Sequence, residues 1–518
     1  MTPRQWDVIV VGGGCDGLAV AATLAMAGRS VLVLESRETF GGRGGKEVFS
    51  PGYTAPGLLP ELSRVSPDMM EALHLSRFGL TLRNDEPDRV AFGDDGQSLC
   101  FSSQPGVTAA SLAAFSEKDA SRWPEYLAQL NTWAVPLGRL WSHPPPGTGS
   151  GGSIWDLLGA GLSLRRLGRS SLSELLRVGP MASADWMSEW FETPLLQAAL
   201  AGPGLVGTWM GPRSTGSAGR QLILNATEQA TVLGEPGALA DALEQACVNG
   251  GVELRSNATV ASIEVDGEGV AGVTLEDGEV CPAKQVFATC DPVQTVLGLL
   301  SPQSAPPSFR KDLSHFRQRG TTAVIRLALK GSVDWGREGV SIERASLGYD
   351  CLDDLERAFD GLLKDQIQKS LPMEIWIPSV FDRDLAPEGG EVVSVTVTFV
   401  PQDLKGGWTD KKRASLQKAV VSSLNSQFPG LSGQVVGSQV LDPSRLEENF
   451  GLTGGHLLHG EVSLDQMLHL RPSPDGAGYK TPVPGLTLCG AGSHPGCDVP
   501  ALSGWLAARS LLAQEDAS

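Results

Sequence analysis

The chain has 518 residues, including 63 glycines, 34 prolines and 8 cysteines, and its 41 basic against 59 acidic side chains give a net charge of −18. With 41% hydrophobic and 19% charged residues it is globular rather than disordered. The acidic balance and the lack of a basic block argue against nucleic acid and against strong attachment to an anionic membrane, and no apolar run reaches the ~18 residues that span a bilayer.

The opening MTPRQWDVIVVGGG does not read as a signal peptide, because its apolar run, Val8 to Val11, is only strand-length. No cysteine pair has CxxC spacing, so neither a redox dithiol of that kind nor a four-cysteine zinc site is expected. Scattered cysteines fit a reducing compartment and hence a cytoplasmic location. The length predicts about three domains, or two large ones.

Asp7 to Val11 reads as a short buried strand, and Gly12-Gly13-Gly14-Cys15-Asp16-Gly17 then satisfies GxGxxG. Leu18 to Ala27 reads as a helix with Gly28 as its C-cap, and Val31 to Leu34 as a second strand ending on Glu35. In such a βαβ unit Gly12 allows the tight turn, Gly14 lets a pyrophosphate approach the backbone, and Gly17 lets helix and strand pack closely. The helix N-terminus offers N–H groups to the phosphates, while Glu35 can accept from ribose hydroxyls. A second match, Gly202 to Gly207, follows a helical stretch and contains Pro203, so it is expected to be a loop between helices. One fingerprint argues for one dinucleotide, against separate FAD and NAD domains.

After Glu35 comes Phe40-Gly41-Gly42-Arg43-Gly44-Gly45. An acid closing the second strand, followed closely by GGR, resembles the FAD-binding start of flavin amine oxidases and phytoene desaturases. The resemblance implies that Gly41 and Gly42 lie against the cofactor and that Arg43 meets its phosphates. At the far end, Leu486 to Cys489 reads as a strand, followed by Gly490-Ala491-Gly492-Ser493-His494-Pro495-Gly496 and an Ala/Leu-rich helix, Trp505 to Ala513. Gly454-Gly455, His459-Gly460, Arg471-Pro472, Thr481-Pro482 and that glycine turn together resemble the C-terminal pattern of phytoene desaturase-like (phytoene dehydrogenase-related) proteins. The resemblance covers most of the chain. Departures are Cys15-Asp16 where the family often has His-Asn, Gly234-Glu235-Pro236-Gly237 in place of paired glycines, and Trp505 among small residues.

The resemblance implies an α/β fold: a Rossmann-type, amine-oxidase-like FAD-binding domain with an inserted α+β substrate domain. The expected division is 1–75, 225–300 and 471–518 for FAD, and 76–224 with 301–470 for the substrate and lid. Its cofactor would be FAD, held by Gly12, Gly13, Gly14, Cys15, Asp16, Gly17, Glu35, Gly41, Gly42, Arg43, Val260, Thr289, Gly490, Gly492, Asp498 and Val499. In the middle, Gly237 to Val248 reads as a helix and Val252 to Leu254 as a strand. Asp277-Gly278 turns a hairpin after Val270 to Leu275, and Gln285 to Cys290 returns toward the cofactor. Thr322 to Leu329 and Glu391 to Phe399 read as strands of a second sheet, with a helix over Lys411 to Gln427 and a Pro/Gly/Ser loop over Ser142 to Ser153.

Ten of the twelve tryptophans fall in the inserted segments, where they either line an apolar cavity or a membrane-dipping lid, or pack as ordinary core. His494, His459, Arg471 and Tyr479 are the candidates for facing the reaction; the other reading of each is to hold the C-terminal segment in place. His456 and His459 have HxxH spacing without a third ligand in register, so no metal is expected. The expected activity is FAD-dependent hydride removal from a hydrophobic or conjugating small molecule, with oxygen or a quinone as electron acceptor, and peripheral membrane contact left open. Two rivals stand beside it: a flavin amine or amino-acid oxidase, and an FAD-binding interaction or scaffold protein.

Overall fold

The computed structural model describes residues 4–83, 87–93, 96–145, 161–162, 164–335, 342–496 and 498–516. β1 (Trp6–Val11) is followed by α1 (Cys15–Met26) and β2 (Val31–Leu34), with β1 and β2 parallel and in register from Val8 opposite Val31 to Val11 opposite Leu34. The apolar runs of both strands are buried because the sheet is covered on both faces. α1 and the C-terminal helix Leu502–Glu515 pack on one face, and the hairpin Val260–Val265/Val270–Leu275 extends the other edge.

The sheet collects strands from distant segments. Val280–Ala288 runs parallel to β1 and to Leu486–Leu488, while Glu253–Arg255 runs parallel to β2. The sequence-predicted hairpin turn is present, with Gly278 at φ 89° and the Leu275 N–H donating to the Glu279 carbonyl at 2.8 Å.

A second seven-stranded sheet contains both strands predicted over 322–329 and 391–399, paired antiparallel from Thr322 opposite Thr398 to Leu329 opposite Glu391. One face packs on the helix Asp410–Gln427 through Leu416, Val420 and Leu424. A layer of helices, led by Glu117–Ser142 and Ser217–Ala230, covers the other.

The second GxGxxG differs from its expectation. The helix Pro194–Leu205 runs on through Gly202, Pro203 and Gly204 instead of ending before them. These glycines serve packing: a Cβ on Gly202 would meet the Tyr349 hydroxyl at 2.7 Å, and one on Gly204 the Gln221 backbone at 3.3 Å. The loop expected over 142–153 lies mostly outside the described residues, as does Trp155; Ser142 itself ends a helix.

Candidate functional site: a dinucleotide cleft joined to a larger cavity

The turn between β1 and α1 shows why each glycine is there. Gly12 adopts φ 100°, a region that L side chains rarely enter, and a Cβ there would strike Thr289 Oγ1 at 2.5 Å. A Cβ on Gly17 would meet the Gly12 carbonyl at 2.0 Å, so the helix cannot otherwise sit so close to the turn. Gly14 is different: its nearest neighbour would be Gly42 Cα at 3.9 Å. That room lies at the N-terminus of α1, where free N–H groups and the helix dipole favour an anion.

The GGR segment closes the cleft from the other side. Gly14 pairs with Gly41 in a single parallel bridge, and the Gly41 N–H donates to the Gly13 carbonyl at 2.8 Å. Glu35, 7% exposed, holds the turn: one carboxylate oxygen accepts from the Gly13 N–H at 2.7 Å and the other from the Arg37 N–H at 2.9 Å. The expected acceptor of ribose hydroxyls is therefore also the clamp of the phosphate turn. Thr289 Oγ1 donates toward the Val11 and Gly12 carbonyls at 3.1 and 3.0 Å. Val260, Thr289, Arg43 and His459 stand on the cleft wall with Gly12, Gly14 and Glu35.

The unusual Cys15-Asp16 pair is explained by its contacts. Asp16 Oδ1 accepts from the Gly504 N–H at 3.1 Å, tying α1 to the C-terminal helix, where a Cβ on Gly504 would collide with the Asp16 carbonyl at 2.0 Å. Burial pushes the Asp16 carboxyl up to about 6, opposed by that hydrogen bond and by Arg43. Cys15 donates to the Gly41 carbonyl at 3.4 Å, and burial pushes its thiol up to about 12. Trp505 does not narrow the cleft; it is buried in the core beside α1 with Arg509 stacked on its ring.

The C-terminal residues divide. Gly490 (φ 90°) packs on Thr289, where a Cβ would meet the carbonyl oxygen at 2.8 Å, and Gly492 packs on Pro292 at 2.3 Å. Both let the last strand's turn lie against the cleft, whose wall takes Ala491 and Pro500 from this segment. Val499 is core. Asp498 faces a second cavity, where its carboxylate meets Arg220.

Of the four reaction candidates, His459 stands in the cleft. It has φ 52°, and its buried Nδ1 has no hydrogen-bond partner among the described residues. Burial, with Arg43 and Arg471 nearby, holds it well below the usual imidazole range. Arg471 is consumed by backbone: its guanidinium donates to the carbonyls of Ala491, Glu461, Gln466, Leu458 and Gly460 at 2.7–3.3 Å. His494 Nε2 lies 2.9 Å from the His143 carbonyl and packs on Trp141; burial lowers it to about 4. Tyr479 is buried in the core around α1, on neither cavity's wall.

The second cavity, about 320 Å³, shares Arg43 and Leu62 with the cleft. Trp123, Tyr126, Leu127 and Leu130 form one wall, and Glu374, Trp376, Ser394 and Thr396 of the second sheet form another. Glu374 accepts from the Tyr349 hydroxyl at 2.7 Å, and burial pushes its carboxyl up to about 7. Sequence reasoning did not single out Arg220, Gln221 or Glu374; only the alternation of polar residues along strands that prove wholly interior marked the region. Among the ten tryptophans, Trp123 and Trp376 line this cavity, whereas Trp133, Trp186 and Trp335 are core.

Residues 164–512 match the family described as flavin containing amine oxidoreductase, and residues 10–60 match the NAD(P)-binding Rossmann-like domain. This chain belongs to the flavin containing amine oxidoreductase family. The pyridine nucleotide-disulfide oxidoreductase domain-containing protein 2 of Rattus norvegicus is 30% identical over 98% of this chain and 93% of its own length. The phytoene desaturase of Fusarium fujikuroi is 26% identical over 96% and 88%. A putrescine oxidase solved with putrescine shares the fold, with TM-score 0.62 and 16% identity over 98% of this chain and 99% of that one. The chain is accordingly an FAD-dependent oxidoreductase with the α/β amine-oxidase fold. The cleft suits FAD: the space at Gly14, the open helix N-terminus and the unsatisfied His459 Nδ1 all await a ligand's polar atoms. Among the described residues, no helix is long and apolar enough to cross a membrane.

Proposed function

We propose that this chain removes a hydride from a hydrophobic or conjugating small molecule held in the larger cavity, in a dehydrogenase, desaturase or oxidase reaction. The observation that carries this is the shared wall: Arg43 and Leu62 border both the dinucleotide cleft and the cavity, so a substrate there abuts the cofactor's reactive end. FAD, when bound, supplies the hydride acceptor at flavin N5. The chain's part is to bind and orient. Gly12, Gly13, Gly14, Cys15, Asp16, Gly17, Gly41 and Gly42 form the phosphate turn, Glu35 clamps it, and Arg43, Val260 and Thr289 complete the wall. Gly490, Gly492 and Val499 shape it from behind, and Asp498 stands on the substrate side. His459 is the candidate closest to the reaction; Arg471, His494 and Tyr479 position the C-terminal segment.

The proposed organisation is an FAD-binding domain of residues 1–75, 225–300 and 471–518 and a substrate domain of 76–224 and 301–470, with oxygen or a quinone reoxidising the flavin. Exposed Val135 on the helix Glu117–Ser142 and Leu176 on the helix Gly168–Val178 support peripheral membrane contact for entry of an apolar substrate. An amine substrate is less well served. The cavity carboxylates already have partners, Glu61 with Arg344, Glu228 with Arg64, Asp498 with Arg220 and Glu374 with Tyr349.

The test is anaerobic bleaching of the flavin against polyenes, amines and small aromatic metabolites. Reduction by an apolar conjugating compound is expected. Bleaching by amines alone would move the assignment to an amine oxidase. Bound flavin that no compound in the panel bleaches would leave a binding or scaffold role.

A further inference from the structure

The strand Glu391–Thr398 reads Glu-Val-Val-Ser-Val-Thr-Val-Thr, the alternation of a strand with one face in water. Yet all eight residues are buried. Its neighbours carry the same polarity into register: Thr396 lies opposite Glu374, Ser394 opposite Trp376, Trp376 opposite Arg344, and Arg344 opposite Arg89. The intervening Ile375, Val393, Val395 and Val397 belong to the core on the sheet's other face. A polar sheet face therefore looks inward, onto the cavity, with the aromatic and aliphatic wall of the helix Glu117–Ser142 across from it.

Several wall residues leave hydrogen-bonding capacity unused. Ser394 Oγ, Gln221 Oε1, Trp123 Nε1 and Arg344 Nε are buried and lack partners among the described residues. Native interiors rarely keep such groups without water or a ligand to satisfy them, because each forfeits its hydration. Four arginines and four acids share the wall, where Arg220 pairs with Asp498, Arg344 pairs with Glu61 and Arg89 faces Glu374, so an added ionic group would gain little net counter-charge.

We infer that the cavity takes a substrate with an apolar body and at least one neutral oxygen function, hydroxyl or carbonyl, met by the unsatisfied groups of the sheet face, Ser394 and Arg344, and of the facing helices, Gln221 and Trp123, rather than a plain hydrocarbon. This rests on the cavity being the substrate site and names the substrate's class within it. A carbonyl accepts from an indole or guanidinium N–H; a hydroxyl also donates to Gln221 or Ser394.

The experiment is isothermal titration of the FAD-loaded protein with limonene, carveol and carvone, which share one carbon skeleton. Carveol and carvone are expected to bind about tenfold more tightly than limonene, a difference of ~1.4 kcal/mol. Ser394→Ala and Gln221→Leu should each reduce that preference to about threefold or less by weakening carveol and carvone binding relative to limonene. Thr396→Val, close in shape, serves if either variant misfolds. Limonene binding as tightly as its oxygenated relatives, or no binding of any of the three, overturns the inference. Because titration is independent of turnover, oxygenated ligands that bind without bleaching the flavin count against the proposed reaction and leave the polar subsite standing.

Discussion

Asp498 and Arg220 face each other in a bidentate ion pair, with both N–O distances 2.7 Å and side-chain exposures of 6% and 4%. The pair joins the segment beyond the C-terminal glycine turn to the helix Ser217–Ala230, and it stands on the wall of the larger cavity. Removing one member takes from the other its bidentate counter-charge, and breaking a buried pair in this way typically costs about 3–5 kcal/mol, whereas replacing both by apolar groups often costs little. Arg220→Met and Asp498→Asn should each lower the denaturation midpoint sharply. The double variant Arg220→Met/Asp498→Leu should recover most of the loss, and single variants as stable as wild type would show the pair to be dispensable.

Gly14 and Gly17 separate binding from folding. Gly17→Ala forces a methyl into the Gly12 carbonyl at 2.0 Å and should leave little folded protein. Gly14→Ala meets nothing within 3.4 Å, so the apoprotein should fold with a melting temperature near wild type. Its methyl fills the room kept for the pyrophosphate, and the ratio of flavin to protein absorbance after purification should fall about tenfold or more. Full flavin occupancy in Gly14→Ala would refute this placement of the phosphates.

Glu35→Gln keeps the side chain's size but offers one acceptor oxygen where the carboxylate offers two, to Gly13 and Arg37. Hydrogen bonds to a charged group contribute about 1.5–3 kcal/mol. FAD affinity, measured by fluorescence recovery on dilution, should fall by roughly tenfold in Glu35→Gln, with a larger loss in Glu35→Ala.

Two buried groups give opposite pH slopes. Glu374 has its carboxyl raised to about 7 in the folded chain, so its contribution is complete below its unfolded value near 4.5 and is lost as pH rises toward 7. Glu374→Gln should therefore match wild type at pH 4.5 and exceed its stability by about 2 kcal/mol at pH 8. His494, lowered to about 4 by burial, behaves in reverse: its contribution is present above about 6.5 and is lost as pH falls toward 4. His494→Gln should flatten the acid side of the profile. Urea midpoints across pH 4.5–8 for wild type and both variants measure each difference; parallel curves would contradict both assignments.

Much of the cofactor side was legible because it is local. The turn between β1 and α1 is built by neighbours in sequence, and the needs of Gly12 and Gly17 follow from the crowding there. Arg471, His494 and Tyr479 were not legible in the same way. Motif membership marks them as constrained, but whether a guanidinium meets a substrate or five backbone carbonyls depends on which loops surround it. The second GxGxxG shows the converse, since its spacing also suits close packing of two helices.

By itself the sequence determined the βαβ unit, the dinucleotide fingerprint and two strands of the second sheet, all of which depend on periodicity and short-range backbone geometry. Only the tertiary structure decided that the polar alternation of Glu391–Thr398 faces an interior cavity, that Asp498 belongs to Arg220 on that cavity's wall, and that Arg43 borders both chambers. A strand's period tells which residues share a face; what covers that face is set by segments hundreds of residues away.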